Sequence, residues 1–97
     1  MGDDPEFEWD DEKARRNLAR HGVAFETIRS FDWSTCTTFP DVRFDYDEPR
    51  LVSNGLVGAR LHVAIWTPRQ ERVRLISLRK ANQREIRNYL KGYPDHG

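Results

Sequence analysis

The chain reads Arg72-Val73-Arg74-Leu75-Ile76-Ser77-Leu78-Arg79 over residues 72–79, and this stretch decides the fold. Apolar and charged residues alternate along it, which is the pattern of a β-strand. The two predicted faces are Val73, Leu75, Ser77 and Arg79 on one side, and Arg72, Arg74, Ile76 and Leu78 on the other. Because both faces carry apolar side chains, we expect an interior strand that is covered on its two sides.

Two more strand patterns precede this stretch, at residues 50–54 and 60–67. The predicted faces of the second are Leu61, Val63 and Ile65 on one side, and Arg60, His62 and Trp66 on the other. Residues 55–59 hold two glycines and residues 68–71 begin with a proline, so both segments are predicted turns. Consecutive strands joined by such short turns form an antiparallel meander.

The remaining elements are helices and two further strands. Residues 7–9 alternate like a short strand, Asp10 is a predicted helix N-cap, and Gly22 is suited to end that helix. A second short helix is predicted at 23–31, a strand at 33–39, an acidic loop at 40–49 and a last helix at 81–91. The predicted inward-facing residues of the first two helices are Ala14, Leu18, His21, Phe25 and Ile28. The layout is β-α-α-β-β-β-β-α, an α+β fold with an antiparallel sheet packed by helices.

Size and composition limit the chain to one small unit. The 97 residues, 37% of them hydrophobic, fit a single domain over 1–97 with flexible ends at 1–5 and 92–97. No apolar run approaches the roughly 20 residues of a membrane span. One cysteine, Cys36, and an acidic N-terminus without a signal-peptide pattern predict a reduced, cytoplasmic protein. The histidines His21, His62 and His96 lack metal-ligand spacing, so no metal or cofactor is expected.

The charge is zero overall but is distributed unevenly. Residues 1–48 carry 13 acidic and 6 basic side chains, a balance of −7, and residues 49–97 carry 3 acidic and 10 basic ones, a balance of +7. A phosphate backbone responds to a local basic patch rather than to the sum, so the second half is a predicted surface for a polyanion, above all RNA. The alternative is that the two halves neutralise each other across the fold.

The last helix carries a basic stripe. Lys80, Arg84, Arg87 and Lys91 recur at i, i+4, i+7 and i+11, so they lie along one helix face. Together with Arg50 and Arg72 they are the predicted residues that hold an RNA backbone. An isolated stripe of this kind is more often a solvated helix face, but this one directly follows an arginine-rich strand.

Five residues are candidates for chemistry on a phosphate. Arg60 and Arg79 lie at or near strand ends, where a fixed guanidinium can stabilise the charge of a pentavalent transition state. Glu85, Tyr89 and His62 are candidates for moving protons, and the sequence does not choose among them. The structural alternatives are a surface ion pair for Arg60, packing beside Ile86 and Leu90 for Tyr89, and a buried structural role for His62.

Four segments resemble the BrnT family of toxins. The N-terminal ones are Phe7-Glu8-Trp9-Asp10 with Lys13 and Asn17, and His21-Gly22-Val23-x-Phe25-Glu26. The later ones are Glu48-x-Arg50 with Gly55, and Arg72-Val73-Arg74-Leu75-Ile76-Ser77-Leu78-Arg79-Lys80-Ala81 with Arg84-Glu85 and Tyr89. The resemblance extends from Phe7 to Tyr89. Two features depart from the family pattern: Leu78 stands where alanine is usual, and the loop 41–48 is unusually acidic.

This resemblance implies a RelE-like fold and a ribonuclease toxin of a type II toxin–antitoxin pair. The implied partner is a BrnA-like antitoxin, which is a ribbon-helix-helix protein. The toxin is expected to contact operator DNA only through this antitoxin. The working hypothesis is metal-independent RNA cleavage by attack of the 2′-hydroxyl on its own 3′-phosphate, which inhibits translation and growth. The alternative is a non-catalytic module whose basic face docks the antitoxin and co-represses the operon.

Overall fold

The computed structural model describes residues 6–43 and 46–92. Within these ranges it has two α-helices, α1 (Asp11–His21) and α2 (Gln83–Lys91), and a 3₁₀ helix, Phe25–Ser30. The strands are β1 (Glu6–Glu8), β2 (Thr37–Pro40), β3 (Leu51–Val57), β4 (Arg60–Arg69) and β5 (Arg72–Lys80). The predicted flexible ends, 1–5 and 92–97, lie outside the described residues except for Gly92. None of the helices in these ranges has the length and apolar character that crossing a bilayer requires.

The described strands form one sheet in the order β1-β5-β4-β3-β2. Strands β2 to β5 make the predicted antiparallel meander, and β5 is an interior strand between β1 and β4. Strand β1 pairs with β5 in parallel, Glu6–Glu8 opposite Arg72–Arg74, so the sheet is mixed rather than wholly antiparallel. The α+β class and the order of the elements are confirmed, and the RelE-like topology stays a prediction.

Side chains pack against both faces of the sheet. The larger core lies under α1 and the 3₁₀ helix, on what we call the α1 face, and contains Val23, Phe25, Ile28, Phe31, Ala64, Leu75 and Leu78. The smaller core lies under α2, on the α2 face, and joins Leu61, Val63 and Ala81 to the partly buried Val52, Leu56, Ile86 and Tyr89. Because α2 covers its face incompletely, part of that face stays open beside the helix.

A bulge between β4 and β5 changes which side chains share a face. Ile65 pairs with Ser77 and Trp66 pairs with Leu75, so Ile76 is an extra residue in β5. Leu75 and Leu78 therefore pack into the same core. The prediction of strict alternation, which placed them on opposite faces and grouped Leu75 with Arg79, was wrong.

Part of the segment 55–59, which the sequence predicted to be a turn, belongs to strand β3. Strand β3 continues through Gly55 to Val57, and the turn is confined to Gly58 and Ala59, with Gly58 at a φ of +62°. A Cβ at Gly55 would lie 2.5 Å from a carbon of the Phe31 ring. Gly55 is therefore explained by the close approach of Phe31 to the strand and not by a turn.

The strand predicted at 33–39 is shorter at its start. The carboxylate of Asp32 accepts hydrogen bonds from the backbone N–H and hydroxyl of Ser34 and from the hydroxyl of Thr35. These bonds hold residues 32–35 in a turn, so pairing with β3 begins at Thr37.

Helix α1 begins and ends as predicted, but it buries a different residue. The Asp10 side chain accepts from the N–H of Lys13, and Gly22 ends the helix with a φ of +72°. Phe25 and Ile28 of the following 3₁₀ helix are fully buried, as predicted. Leu18, predicted to face inward, is 51% exposed, and the buried residue of α1 is Asn17.

The Asn17 amide binds the open edge of β5. Strand β1 covers β5 only as far as Arg74. Beyond that point Asn17 Nδ2 donates to the carbonyl of Leu78 at 2.7 Å, and Asn17 Oδ1 accepts from the Leu78 N–H at 3.2 Å. Asn17 Nδ2 also donates to the carbonyl of Val23. One side chain thus replaces a neighbouring strand and fixes the backbone directly before Arg79.

We expect Asn17→Ala to lower the free energy of unfolding by about 1–3 kcal/mol, because it leaves buried backbone groups of Leu78 and Val23 without partners. Leu18→Ala is the matched control on the next residue, and its effect should stay within about 0.5 kcal/mol because that side chain is exposed. Urea denaturation measures both. A larger loss for Leu18→Ala than for Asn17→Ala would contradict this account of α1.

Candidate active site

The open part of the α2 face is a small cleft of about 100 Å³ beside helix α2. Its floor is formed by Val52, Asn54, Val63 and Ile65 of β3 and β4. The segment 39–43 forms one rim, and Arg79 and Glu85 form the other. Two of the five predicted catalytic residues therefore line the same concave surface, which is where a substrate can be enclosed.

Arg79 and Glu85 form a two-pronged ion pair at the rim. Arg79 Nη1 lies 2.8 Å from Glu85 Oε1, and Arg79 Nη2 lies 2.7 Å from Glu85 Oε2. The Glu85 side chain is 7% exposed and that of Arg79 is 31% exposed, so the guanidinium keeps access to solvent. Arg79 lies one residue before the end of β5 and Glu85 lies in the first turn of α2, so the short connection between the two elements brings them together.

Helix capping fixes the Glu85 carboxylate. Asn82 is the N-cap of α2, and its side chain accepts from the N–H of Glu85 at 2.8 Å. In return Glu85 Oε1 accepts from the N–H of Asn82 at 2.9 Å, which completes a capping box. The carboxylate thus receives three N–H donors, two of them from Arg79. This arrangement positions the guanidinium and leaves Glu85 poorly placed to take a proton until Arg79 moves.

Tyr89 lies on the same helix but its hydroxyl is used elsewhere. The hydroxyl donates to the carbonyl of Thr35 at 2.9 Å, and the ring packs on the smaller core. The structural alternative for Tyr89, a half-buried packing residue, therefore describes its position. This contact ties α2 to the turn before β2.

His62 lies on the opposite face of the sheet from Arg79. The cross-strand partner of His62 is Gly55, and the Phe31 ring occupies the space where a Gly55 side chain would lie. Because Phe31 is on the α1 face, His62 faces that side too. It is 5% exposed, and its Nδ1 is 3.0 Å from the carbonyl oxygen of Arg60. Val63, the next residue, is the one whose cross-strand partner is Arg79. His62 and Arg79 are not brought together.

Arg60 lies at the start of β4, outside the cleft lining. Its Nη2 donates to the carbonyl of Ala81 at 3.2 Å, directly before the N-cap of α2. The alternative of an ion pair with the acidic loop finds no support in the described residues. Arg60 supports the start of the helix that carries Glu85.

The predicted RNA-binding residues fall into two groups. Lys80 is exposed at the end of β5, and Arg84, Arg87 and Lys91 are exposed along α2. Arg50 lies with its guanidinium 4.0 Å from the centre of the Tyr46 ring, and Arg72 is ion-paired with Glu6 and Glu8 at the far end of β5. The structure thus keeps Lys80 and the basic residues of α2 on consecutive elements that follow Arg79, and it places Arg72 at the other end of β5.

Ion pairs between the two halves account for part of the charge asymmetry. Arg72 and Arg74 bind Glu8, and Arg69 binds Glu48. The alternative that the halves neutralise each other is therefore correct for the β1 end of the sheet. Lys80, Arg87 and Lys91 make no ion pair with any residue in 6–43 or 46–92 and are exposed, so their positive charge is not neutralised within these ranges.

Asp41 fixes the acidic rim of the cleft. Its side chain is 1% exposed and accepts from Nε and Nη2 of Arg43 at 2.9 and 3.1 Å, and from the Tyr46 hydroxyl at 3.0 Å. The guanidinium of Arg43 is the main cause of an Asp41 pKa below its ordinary value, and the Tyr46 hydroxyl adds to it. At least one acid of the 41–48 loop is therefore neutralised locally.

Sequence reasoning missed two residues of this cleft, Asp41 and Asn54. Asn54 is an amide at the end of the strand predicted at 50–54, and the polar Ser53 beside it kept the pattern from singling it out. Asp41 was not singled out either, because it follows a proline in an acidic loop. Among the described residues, no three His, Cys, Asp or Glu side chains converge as a metal site.

Comparison with known families bears on what this cleft does. The model of a family described as the ribonuclease toxin BrnT of the type II toxin–antitoxin system matches residues 9–85. The chain belongs to the BrnT family. The match covers more than three quarters of the chain and includes both Arg79 and Glu85. A comparison with curated proteins finds no match.

Membership of the BrnT family makes the chain a ribonuclease toxin of a type II toxin–antitoxin system, with an antitoxin as its partner. This confirms the resemblance found in the sequence.

We expect the ion pairs of Asp41 to make stability depend on acid pH. Because the pKa of folded Asp41 lies below that of the unfolded chain, its contribution is complete above about pH 4 and is lost as pH falls through the folded pKa. Asp41→Asn should lower the free energy of unfolding at pH 7 by about 1–3 kcal/mol. It should also reduce the difference in stability between pH 7 and pH 3, as measured by urea denaturation. An unchanged difference would contradict the assignment.

Proposed function

We propose that this BrnT protein cleaves RNA without a metal ion, at the cleft beside α2. The 2′-oxygen of a ribose forms a bond to its own 3′-phosphorus, and the bond from phosphorus to the 5′-oxygen of the next nucleotide breaks. The 2′-hydroxyl loses its proton and the leaving 5′-oxygen gains one. The products are a 2′,3′-cyclic phosphate and a 5′-hydroxyl.

The Arg79–Glu85 pair is the observation that supports this proposal most strongly. A guanidinium presents several N–H donors in one plane, a geometry that matches phosphate oxygens. Glu85 holds Arg79 at the rim of an enclosed surface, so the donors are in place before charge develops on the phosphate. The incoming phosphate binds Arg79 beside the Glu85 carboxylate or in its place. The carboxylate released from Arg79 is then the nearest acceptor for the 2′-hydroxyl proton.

The basic residues of α2 supply binding rather than chemistry. Arg84, Arg87 and Lys91 are exposed on the helix that carries Glu85, and Lys80 is exposed at the end of β5. Each contact of this kind neutralises one phosphate and adds affinity without sequence preference. They align a single strand so that one of its phosphates meets Arg79.

The partner we propose is a BrnA-like antitoxin, a ribbon-helix-helix protein. Its acidic surface binds the basic stripe of α2, blocks RNA from the cleft, and links the toxin to operator DNA. The toxin acts in the cytoplasm, on RNA whose loss stops translation and growth.

Cleavage by the purified protein tests the proposal. In buffer with EDTA, we expect the wild type to cut RNA to products with cyclic phosphate ends, and Arg79→Ala to lower the rate about 100- to 1,000-fold. Gel analysis with end-group mapping measures both.

Arg69→Ala is the matched control, because it removes an arginine from the same sheet and breaks a similar ion pair, with Glu48, outside the cleft. It should cut at the wild-type rate. Equal rates for wild type and Arg79→Ala, with both proteins folded, would rule out the assigned role of Arg79.

The second candidate function is a non-catalytic module that docks the antitoxin. The positions of the three proton-transfer candidates favour this function. Glu85 is held by Arg79, the Tyr89 hydroxyl donates to Thr35, and His62 faces the other side of the sheet.

Induced expression without the antitoxin separates the two candidates. We expect growth arrest with wild type and normal growth with Arg79→Ala present at equal abundance. Normal growth with both would favour the binding module.

A further inference from the structure

A buried amide faces the cleft without a partner. Asn54 is 3% exposed and forms part of the cleft floor. Its side chain makes no hydrogen bond to any residue of the described ranges. The amide is not sealed in the core but opens into the cleft, so its donors and acceptor are available to a ligand that enters there.

The register of the sheet places Asn54 in a row with Arg79. Thr37, Asn54, Val63 and Arg79 are successive cross-strand partners, so their side chains share the α2 face. The hydroxyl of Thr37 is buried and also lacks a partner within the described part of the chain. Asn54 and Arg79 are two strands apart, about 10 Å along the row. A ligand that spans this distance meets an amide at one end and a guanidinium at the other.

A second row on the same face is apolar. Phe39, Val52 and Ile65 are successive partners on β2, β3 and β4, and all three line the cleft. They lie two residues along each strand from the first row. The floor is therefore a flat apolar surface with one amide at its edge.

This combination matches the needs of a nucleobase. An unstacked RNA base has apolar faces that lie on such a surface, and an edge on which donors and acceptors are adjacent. The amide of asparagine offers one donor and one acceptor side by side and pairs with that edge through two hydrogen bonds. Adenine, through N6 and N7, is the base that asparagine reads most directly.

We propose that the Asn54 pocket binds one nucleobase of the RNA and sets the sequence preference of cleavage. The inference rests on the proposed function, because it places the base beside a phosphate held by Arg79. An antitoxin side chain is the competing occupant, and a pocket that serves only the antitoxin would leave the base preference of cleavage unchanged in Asn54→Ala.

Mapping the ends of cleaved random-sequence RNA tests the proposal. We expect wild type to show one position near the cut with a base preference of roughly 5- to 150-fold. Asn54→Ala should remove the preference at that position while the protein stays folded, and Asn54→Asp should change the preferred base, because a carboxylate only accepts hydrogen bonds. Asn88→Ala, which removes an amide from α2 outside the cleft lining, should keep the wild-type pattern. An unchanged preference in Asn54→Ala overturns the proposal.

A binding measurement separates this proposal from the proposed function. Millimolar adenosine, cytidine, guanosine and uridine monophosphates are titrated into ¹⁵N-labelled wild-type protein. At least one should shift the side-chain amide signals of Asn54, even if the protein cleaves no RNA. If none of the four shifts those signals, the pocket does not bind a base and the proposal is wrong.

Discussion

The structure depends on how the edge of β5 is held beyond the end of β1. A strand edge inside a protein leaves backbone N–H and C=O groups that must find partners. Here the Asn17 amide of α1 supplies both partners to Leu78, and the next residue is Arg79. Because β5 also contributes Leu75 and Leu78 to the larger core, the same short segment joins the fold to the cleft.

Much of the local structure followed from the sequence, because caps and turns depend on neighbours in the chain. Asp10 and Gly22 bound α1 as predicted, and Phe25 and Ile28 are buried. The errors concern contacts between distant segments. No helical periodicity distinguishes a buried Asn17 from an exposed Leu18 when the deciding partner is 61 residues away.

The candidate site was predicted in part for the same reason. Arg84, Arg87 and Lys91 are exposed on α2, as their spacing predicted, and Arg79 near the end of β5 lines the cleft, while its role on a phosphate stays a prediction. Alternation along β4 correctly placed His62 on the face opposite Val63, but it did not show that Arg79 shares the face of Val63, because that depends on the register between β4 and β5. Asn54 was not singled out in the sequence, because its place in the cleft depends on its register with Arg79 across two strands.

The central claim is that RNA lies on the α2 face of the sheet, with a phosphate at Arg79. The most direct test is an NMR titration of the labelled protein with a 2′-O-methyl RNA that has no free 2′-hydroxyl and so is not cleaved. We expect the largest chemical-shift changes at the Arg79 guanidinium, at Asn54 and along α2. Shifts confined to the α1 face, with Arg79 unchanged at saturation, would contradict it.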